Sequence, residues 1–292
     1  IQTVRTASAV ADSAVADDAA SDEKKKKKVR RVTAQDLVER LYRQQGKKSY
    51  FGSNAWYESS DGGGVLKNGQ ERVWEHWQTR PLRQIERISD GRQCCGCTWK
   101  QMDGRRGCSF IRFNKDGKVT FVREVVEIDG WRKFKSNNLE SLGPLFGVMN
   151  TIQGGINVFS DYLNSGDAGP LRPEFGLAQP RTRRAEDVVR YLWREAFCAE
   201  ERGAERTALE YSEDAIYEDM TYVEEAWPKD LKEVKKFLKE TKKNAPENLR
   251  FVLDEVTDGG TSCTALWHVE FGGTRTPRGV SYYELDSAGK VK

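Results

Sequence analysis

The chain has 292 residues, of which 37% are hydrophobic and 10% aromatic, so it holds enough apolar material for two folded domains or one large one. Its 48 Lys and Arg nearly balance its 45 Asp and Glu, so we do not expect a dedicated nucleic-acid-binding surface. No apolar run reaches the ~18 residues that a membrane-spanning helix needs, and we predict no such helix.

The N-terminal segment, residues 1–31, is rich in Ala, Ser, Val and Thr and ends in acidic residues and a lysine run. This composition cannot bury enough apolar surface to fold alone, so we predict a disordered or extended tail. Its small, hydroxylated start is typical of a processed organelle-targeting sequence, although an artificial start is the alternative. The basic run Lys24–Lys28 could contact an acidic partner or an anionic membrane surface, but a solvated linker is the simpler interpretation.

Two parts of the chain repeat the same order of segments. The matching segments are 34–42 with 185–193, 54–60 with 214–220, 69–78 with 230–240, 82–91 with 249–259, and 106–119 with 278–291. Apolar residues recur at helical spacing in the first and third pairs, and Gly-containing turns accompany strand-like runs in the later pairs. We therefore interpret the chain as one domain written twice.

Each copy is expected to contain an amphipathic helix, a short Tyr-bearing strand, a second helix and at least three long strands. Helices followed by an antiparallel sheet indicate an α+β fold with the helices on one face of the sheet. We place domain 1 at 32–127, a connector at 128–182 and domain 2 at 183–292. The second copy stops at Lys292, so we expect its last strand to be cut short or incomplete in this sequence.

The run YSEDAIYEDM, followed by an acidic stretch, KDLKEVKKFL and three strands, resembles the NTF2-like superfamily and, within it, the SnoaL-like group. The resemblance is best over 185–292 and more divergent over 34–127. It implies two cone domains, each with N-terminal helices packed on a curved antiparallel sheet, joined by a long, partly helical connector. Enzymes of this superfamily use the cone as a pocket, with Asp, His or Tyr as the general acid or base.

Several residues could carry such chemistry. They are Asp219, Tyr217, Tyr222 and His268 in the second copy, and Tyr57, Glu58 and His76 in the first. If the chain is an enzyme, we expect Asp219, Tyr217 and His268 to form its site, because a carboxylate in an apolar cone has a raised pKa and can act as a base. Against catalysis, Ser59 stands in the first copy where the second has Asp219, and the two histidines lie at different places. We therefore predict no catalytic residue and no cofactor. The alternative is a SnoaL-like isomerase, dehydratase or cyclase, or a carrier of a small apolar ligand.

Four of the six cysteines lie in one short stretch, at Cys94, Cys95, Cys97 and Cys108. Metal sites usually show two CxxC-like pairs, whereas CCxC in a probable strand puts Cys95 and Cys97 on one face and Cys94 on the other. We predict buried or half-buried free thiols and no metal, with a redox-sensing module as the alternative.

The connector carries apolar residues at near-helical spacing. They are Leu142, Leu145, Phe146, Met149, Ile152, Ile156, Phe159 and Leu163. Such a stripe either packs on one of the sheets or docks on a partner protein or membrane surface, and we predict partner binding. The sequence thus favours a non-catalytic accessory, scaffold or assembly subunit that binds protein subunits of a larger organellar complex. We expect a chloroplast location and a photosynthetic membrane complex as host, because the N-terminus resembles that of processed plastid proteins.

Overall fold

The computed structural model describes part of the chain. The described residues are 32–43, 46–61, 64–127, 180, 182–196, 203–220, 222, 224–244, 249–271, 273–275 and 278–292. All of these described residues belong to one compact unit. The tail at 1–31 and the apolar stripe of the connector lie outside the described residues, so what we expect of them stays a prediction.

The first half of the compact unit has two helices and six strands. Its elements are α1 (Ala34–Arg43), a 3-10 helix (Lys48–Tyr50), β1 (Phe51–Ser59), β2 (Val65–Asn68), α2 (Gln70–Thr79), β3 (Arg83–Ile88), β4 (Cys94–Gln101), β5 (Arg106–Phe113) and β6 (Val119–Val126). Both predicted helices are therefore confirmed. Val38 and Leu41 show why α1 forms here, since helical spacing places both on its buried face.

The strands of the first half form one sheet in the order β2-β1-β6-β5-β4-β3. All neighbours are antiparallel except β1 and β6, which run parallel, so the sheet is mixed rather than wholly antiparallel as expected. Register shifts interrupt the β1–β6, β3–β4 and β5–β6 pairs. Such irregularities bend strands and increase twist, which gives the sheet its curvature.

The second half has three short or medium helices and a smaller sheet. Its elements are α3 (Ala185–Tyr191), a π-helical turn (Leu192–Ala196), α4 (Gly203–Ala208), a 3-10 helix (Glu224–Ala226), α5 (Leu231–Asn244), β7 (Leu249–Val256), β8 (Ser262–Phe271), β9 (Thr274–Arg275) and β10 (Gly279–Glu284). The sheet order is β10-β8-β7, with β9 beside β8. The prediction of a strand around Tyr217 is wrong, because residues 212–219 form turns and irregular backbone. Just before this segment, Tyr211 forms an isolated parallel bridge with Val291.

Three hydrophobic clusters organise the unit. One lies between the helices and sheet of the first half, and another occupies the same place in the second half. The third lies between the two sheets, where Phe110 and Phe121 of the first meet Leu266 and Val280 of the second. Each sheet thus carries helices on one face and packs its other face against the other sheet.

One β-turn has the same hydrogen bonds in both halves. In the first, Asn114 Oδ1 accepts from the backbone of Asp116 and Lys118, and Gly117 N donates to Asn114 O. In the second, Asp286 Oδ1 accepts from the backbone of Ala288 and Lys290, and Gly289 N donates to Asp286 O. Gly117 and Gly289 both have positive φ, which glycine adopts without strain. The local geometry of the two halves therefore repeats here.

A tryptophan contact repeats in the same way. Trp99 donates its indole N–H to Ser109 Oγ at 2.7 Å, and Trp267 donates to Ser281 Oγ at 3.0 Å. The ring of Trp99 lies against Gly107, and the ring of Trp267 against Gly279, so closely that an added Cβ would collide with either ring. By these contacts, β5 of the first half corresponds to β10 of the second, and β4 corresponds to β8.

The loop that follows β3 and the loop that follows β7 contact each other through equivalent aspartates. Asp90 Oδ2 accepts hydrogen bonds from the backbone of Gly260 and Thr261, at 3.2 and 2.8 Å. Asp258 Oδ1 accepts from the backbone N–H of Arg92 at 2.8 Å. A contact in which each partner offers the same surface is the pattern of a two-fold interface.

Candidate functional site

The first half holds a buried carboxylate between its helices and its sheet. Glu124, on β6, accepts hydrogen bonds from Tyr42 Oη at 2.7 Å and from Tyr57 Oη at 2.5 Å. Arg80 Nη1 lies 3.1 Å from Glu124 Oε1, and Arg83 forms an ion pair with Glu124 Oε2. All these groups come from different elements, so Glu124 ties α1, β1 and the chain after α2 to the sheet.

The electrostatics keep this carboxylate ionised. Burial raises the pKa of Glu124, but Arg83 and Arg80 outweigh it and lower the pKa to about 2. Burial and the negative charge of Glu124 raise the pKa of Tyr57 and Tyr42 well above the usual tyrosine range, so both remain neutral donors. A carboxylate with so low a pKa is a poor general base, because its affinity for a proton is small.

Aromatic side chains fill the space around this carboxylate. Trp77 contacts Tyr42, Phe51 and Tyr57, with ring centroids 5.3, 5.5 and 6.3 Å apart. The Arg80 guanidinium stacks on the Trp77 ring at 3.3 Å. A cavity beside these residues has a volume of about 10 Å³. That volume is close to the ~10–15 Å³ needed for one water molecule, so an organic ligand does not fit there.

The first-copy candidates face two directions. Tyr57 and His76 lie together on the helix side, with ring centroids 4.8 Å apart, and burial lowers the pKa of His76. Glu58, the next residue along β1, points to the opposite face of the sheet and is 1% exposed. The strand therefore separates the candidate acid from the candidate aromatic pair.

The second-copy candidates are likewise not brought together. Tyr217 packs against Phe237, with ring centroids 5.0 Å apart, in the core between helices and sheet. Burial is the main cause that raises the pKa of Tyr217, and the charge of Asp219 also raises it. Trp267 of β8 shares their side of the sheet, whereas its neighbour His268 points to the other side.

The expected site of Asp219, Tyr217 and His268 is therefore not formed. His268 lies instead between two carboxylates, with Nδ1 3.0 Å from Asp254 Oδ1 and Nε2 3.3 Å from Glu270 Oε1. The prediction did not consider that alternation along β8 sends Trp267 and His268 to opposite faces.

A buried ion network lies where the two sheets meet. Arg278 Nη1 is 2.9 Å from Glu58 Oε1, and Arg278 Nε is 3.3 Å from Asp254 Oδ2. Arg123 Nε donates to the backbone carbonyl of Arg278 at 2.7 Å. Burial raises the pKa of Asp254, but His268, Arg275 and Arg278 lower it below the usual aspartate value. The network joins the halves electrostatically.

Sequence reasoning missed Glu124, Arg123 and Arg278, which lie in these buried charged clusters. Glu124 and Arg123 interrupt the apolar strand VTFVREVV, and that interruption was the available signal for buried, paired charges. Arg278 lies in TRTPRG, which reads as a surface patch because its partner Glu58 is far away in the sequence.

The cysteine predictions can be compared with the described thiols. Cys95 and Cys97 lie in the core of the first half, whereas Cys94 belongs to the cluster between the sheets, as strand alternation predicted. Cys94, Cys95, Cys97, Cys108 and Cys263 are all buried and free. Within the described ranges, His, Cys, Asp and Glu side chains form no cluster that could hold a metal ion.

No protein-family profile and no curated protein matches this chain. Solved structures do resemble part of it. An NTF2-like protein of unknown function from Cytophaga hutchinsonii gives a TM-score of 0.28 at 11% identity, covering 33% of this chain and 91% of its own. One from Mesorhizobium loti gives 0.29 at 15%, covering 32% and 91%, and a SnoaL-like protein from Burkholderia thailandensis gives 0.28 at 14%, covering 32% and 92%.

Each of these three likenesses spans about a third of this chain, in agreement with the sequence resemblance to NTF2-like and SnoaL-like proteins. Among the helices of the described chain, none has the length and apolar character to cross a membrane.

Proposed function

We propose that this chain is a tandem of two NTF2-like domains that acts by binding rather than by catalysis, as a scaffold or assembly subunit of a larger complex. The observation that carries this proposal is the state of Glu124. The cone of the first half holds its carboxylate in ion pairs with Arg80 and Arg83. These arginines and the hydroxyls of Tyr42 and Tyr57 bind both oxygens of the Glu124 carboxylate, so it holds the fold together and is not available to a substrate.

The tandem arrangement is supported by contacts that recur at matching positions. Trp99 with Ser109 corresponds to Trp267 with Ser281, and the turn at Asn114 corresponds to the turn at Asp286. Chance does not readily place the same side-chain contact and the same turn, in the same order, in two halves of one chain. A single duplication of the domain would account for both the repeated tryptophan contact and the repeated turn.

A binding role is also supported by the second half. Trp193 packs against Phe251 and Trp267 of the sheet, with ring centroids 5.2 Å apart for Trp193 and Trp267 and 6.0 Å for Phe251 and Trp267. The hydroxyl of Tyr283 accepts the Trp193 indole N–H at 2.8 Å, and burial raises the pKa of Tyr283 well above the usual value. Aromatic packing thus occupies the place where an enzyme would hold its ligand.

Partner and location are proposed from the sequence. The apolar stripe within 139–164 is the proposed docking segment for protein subunits, and the basic run Lys24–Lys28 would add contact with an anionic membrane surface. The N-terminal composition supports an organelle, and a chloroplast photosynthetic membrane complex is the proposed host.

The proposal is tested by tagging the full chain in its native cells and measuring the size of its assembly. We expect a complex much larger than the 33.2 kDa chain. Replacing Leu145, Phe146, Ile152 and Phe159 with Ser should release the chain as a monomer, because the stripe loses its apolar contacts.

The matched control replaces Asn150, Gln153 and Asn164 of the same segment with Ser and should leave the assembly intact. If the apolar variant assembles normally, the docking role of the stripe is wrong. Turnover of a small carbonyl substrate by the pure chain, abolished by Asp219→Asn, would instead establish an isomerase, dehydratase or cyclase.

A further inference from the structure

The charged cluster around Glu124 holds more positive than negative charge. Arg80 and Arg83 both form ion pairs with the carboxylate of Glu124. Within the described residues, neither arginine forms an ion pair with a second carboxylate. The hydroxyls of Tyr42 and Tyr57, which donate to Glu124, carry no charge. Two guanidiniums therefore share one carboxylate, and one positive charge in this cluster has no counter-charge.

This excess charge is largely removed from solvent. The side chains of Arg80, Arg83 and Glu124 are 7%, 1% and 0% exposed. Burial is the main cause that lowers the pKa of Arg80, and the positive charge of Arg83 lowers it further, while Glu124 acts in the opposite direction. Arginines are almost never fully buried unless they are paired, because burial disfavours a charge without a partner. The cluster therefore calls for one more negative charge.

Polar atoms next to this charge also lack partners. Arg83 Nε is buried and has no hydrogen-bond partner in the described part of the chain. Gln101 lies directly opposite Arg83 in the β3–β4 ladder, so both side chains stand on the same face of the sheet with Cβ atoms ~4.5–5.5 Å apart. Both polar atoms of the Gln101 amide are likewise buried without a partner. Since buried polar groups are nearly always hydrogen-bonded, these donors indicate a missing acceptor.

A small cavity adjoins the two arginines. It is lined by Tyr42, Trp77, Arg80, Pro81, Leu82 and Arg83. Its volume of about 10 Å³ has room for one species of the size of a water molecule. A chloride ion is only slightly larger than water, whereas a carboxylate, phosphate or sulfate group has several heavy atoms and does not fit. Pro81 and Leu82 are exposed, so an ion has a short path from solvent.

We propose that this cavity binds one monatomic anion, chloride under cellular conditions, through the guanidiniums of Arg80 and Arg83. The ion supplies the missing negative charge and offers an acceptor to Arg83 Nε. A water molecule would fill the same space but would leave the positive charge unbalanced. The anion site goes beyond the proposed binding role and does not depend on it, because it concerns the interior of the first half.

Chloride NMR on the full chain tests the site directly, because ions that exchange with a protein site give a broadened line. We expect the pure chain, transferred to sodium gluconate, to broaden the line of added sodium chloride in a saturable way. Bromide should reverse the broadening, since it is a monatomic anion of similar size. Sulfate at the same ionic strength should not reverse it, because sulfate is too large for the cavity.

Removing the excess charge should remove the site. Arg80→Gln leaves Arg83 paired with Glu124 and no positive charge in excess. We expect this variant to bind chloride at least about tenfold more weakly, because it loses a charge-assisted contact as well as the charge. Arg190→Gln is the matched control, since it removes one arginine from an i,i+4 pair with Glu186 in the second half and should bind like the wild type.

A second variant supplies the missing charge instead of removing the excess. Gln101→Glu places a carboxylate opposite Arg83 with little change in volume. In sodium gluconate it should unfold at a higher urea concentration than the wild type, and added chloride should not raise its midpoint further. The wild-type midpoint should rise with chloride, because an ion that binds only the folded state stabilises it. If the cluster needed no further anion, another buried carboxylate would lower the midpoint.

Three outcomes overturn the inference. The first is a chloride line that the wild type broadens no more than Arg80→Gln does. The second is equal competition by sulfate and bromide, which would place the ion on an open surface. The third is a Gln101→Glu variant that is less stable than the wild type in gluconate. If Arg80→Gln does not fold, the bromide competition and Gln101→Glu still decide.

Discussion

Glu58 of β1 and Arg278, just before β10, form a buried ion pair that joins the two halves of the chain. The two side chains are 1% and 5% exposed, and their charged atoms lie 2.9 Å apart. Arg278 also binds Asp254 of β7, so one guanidinium links both sheets. The association of the halves therefore depends on charge as well as on the apolar cluster beside it.

Breaking this pair should destabilise the chain strongly. Glu58→Gln removes the buried counter-charge of Arg123 and leaves Arg278 paired with Asp254 alone. We expect a loss of about 3–5 kcal/mol in the free energy of unfolding, measured by urea denaturation. Glu71→Gln is the control, because its pair with Lys48 is exposed and should be worth only ~0–1 kcal/mol. Equal effects of the two substitutions would contradict a coupling role for Glu58.

The carboxylate of Glu124 should make stability depend on pH. Its folded pKa of about 2 is below the ~4.3 of an unfolded glutamate, so the unfolded state binds its proton first as pH falls. The stabilisation is complete above the unfolded value and is lost as pH falls towards the folded one.

Tyr57→Phe tests this dependence, because it removes a hydrogen bond that favours the ionised form. At neutral pH the variant should be less stable than the wild type by about 1.5–3 kcal/mol. The difference should shrink as pH falls from about 5 to about 2, followed by urea unfolding at each pH. Tyr50→Phe, whose ring lies at the edge of the same core, should show no such trend. A difference that stays constant with pH would mean that Glu124 is not the titrating group.

Much of the fold could be predicted from the sequence, because periodicity records which side of an element is buried. The helices at 34–42 and 69–78 and the strand with Cys95 and Cys97 follow this rule. The prediction of a strand at Tyr217 is wrong because this tyrosine is buried against Phe237 without strand pairing. A short apolar motif has the same sequence pattern in a strand and in a buried irregular segment.

The candidate site was harder to predict because it depends on contacts distant in the sequence. Glu124 becomes a structural anion only through Arg80 and Arg83, and Arg278 becomes a buried cation only through Glu58. Local pattern identifies the charged residue but not the partner that neutralises it. Side-chain direction was predictable in principle, since neighbours such as Trp267 and His268 must face opposite sides of a strand.

The two glycines that face tryptophan rings should respond alike to substitution. In Gly107→Ala the new methyl group would collide with the ring of Trp99, and in Gly279→Ala with that of Trp267. We expect each to lose about 1–3 kcal/mol in the free energy of unfolding, because a well-packed core resists added volume. Gly260→Ala is the control, since its nearest neighbour, Asp90 Oδ2, lies at 3.7 Å. If only one of the two strand variants is destabilised, the two contacts are not equivalent.

The buried cysteines should resist alkylation in the folded chain. Burial is the main cause that raises the pKa of Cys94 and of Cys97 to about 12, and it also raises the pKa of Cys95, Cys108 and Cys263. Thiolate is the reactive form, so at about pH 8 these thiols should react on the order of a thousandfold more slowly than an exposed cysteine.

Mass spectrometry after timed iodoacetamide treatment measures each of these five sites separately. Ser287→Cys supplies the exposed reference thiol, because Ser287 lies on an exposed turn. All five should become reactive together when urea unfolds the chain, since one cooperative core protects them. Rapid labelling of Cys94 or Cys108 in the folded chain would instead support a redox-sensing role, because a sensor thiol must be accessible and ionised.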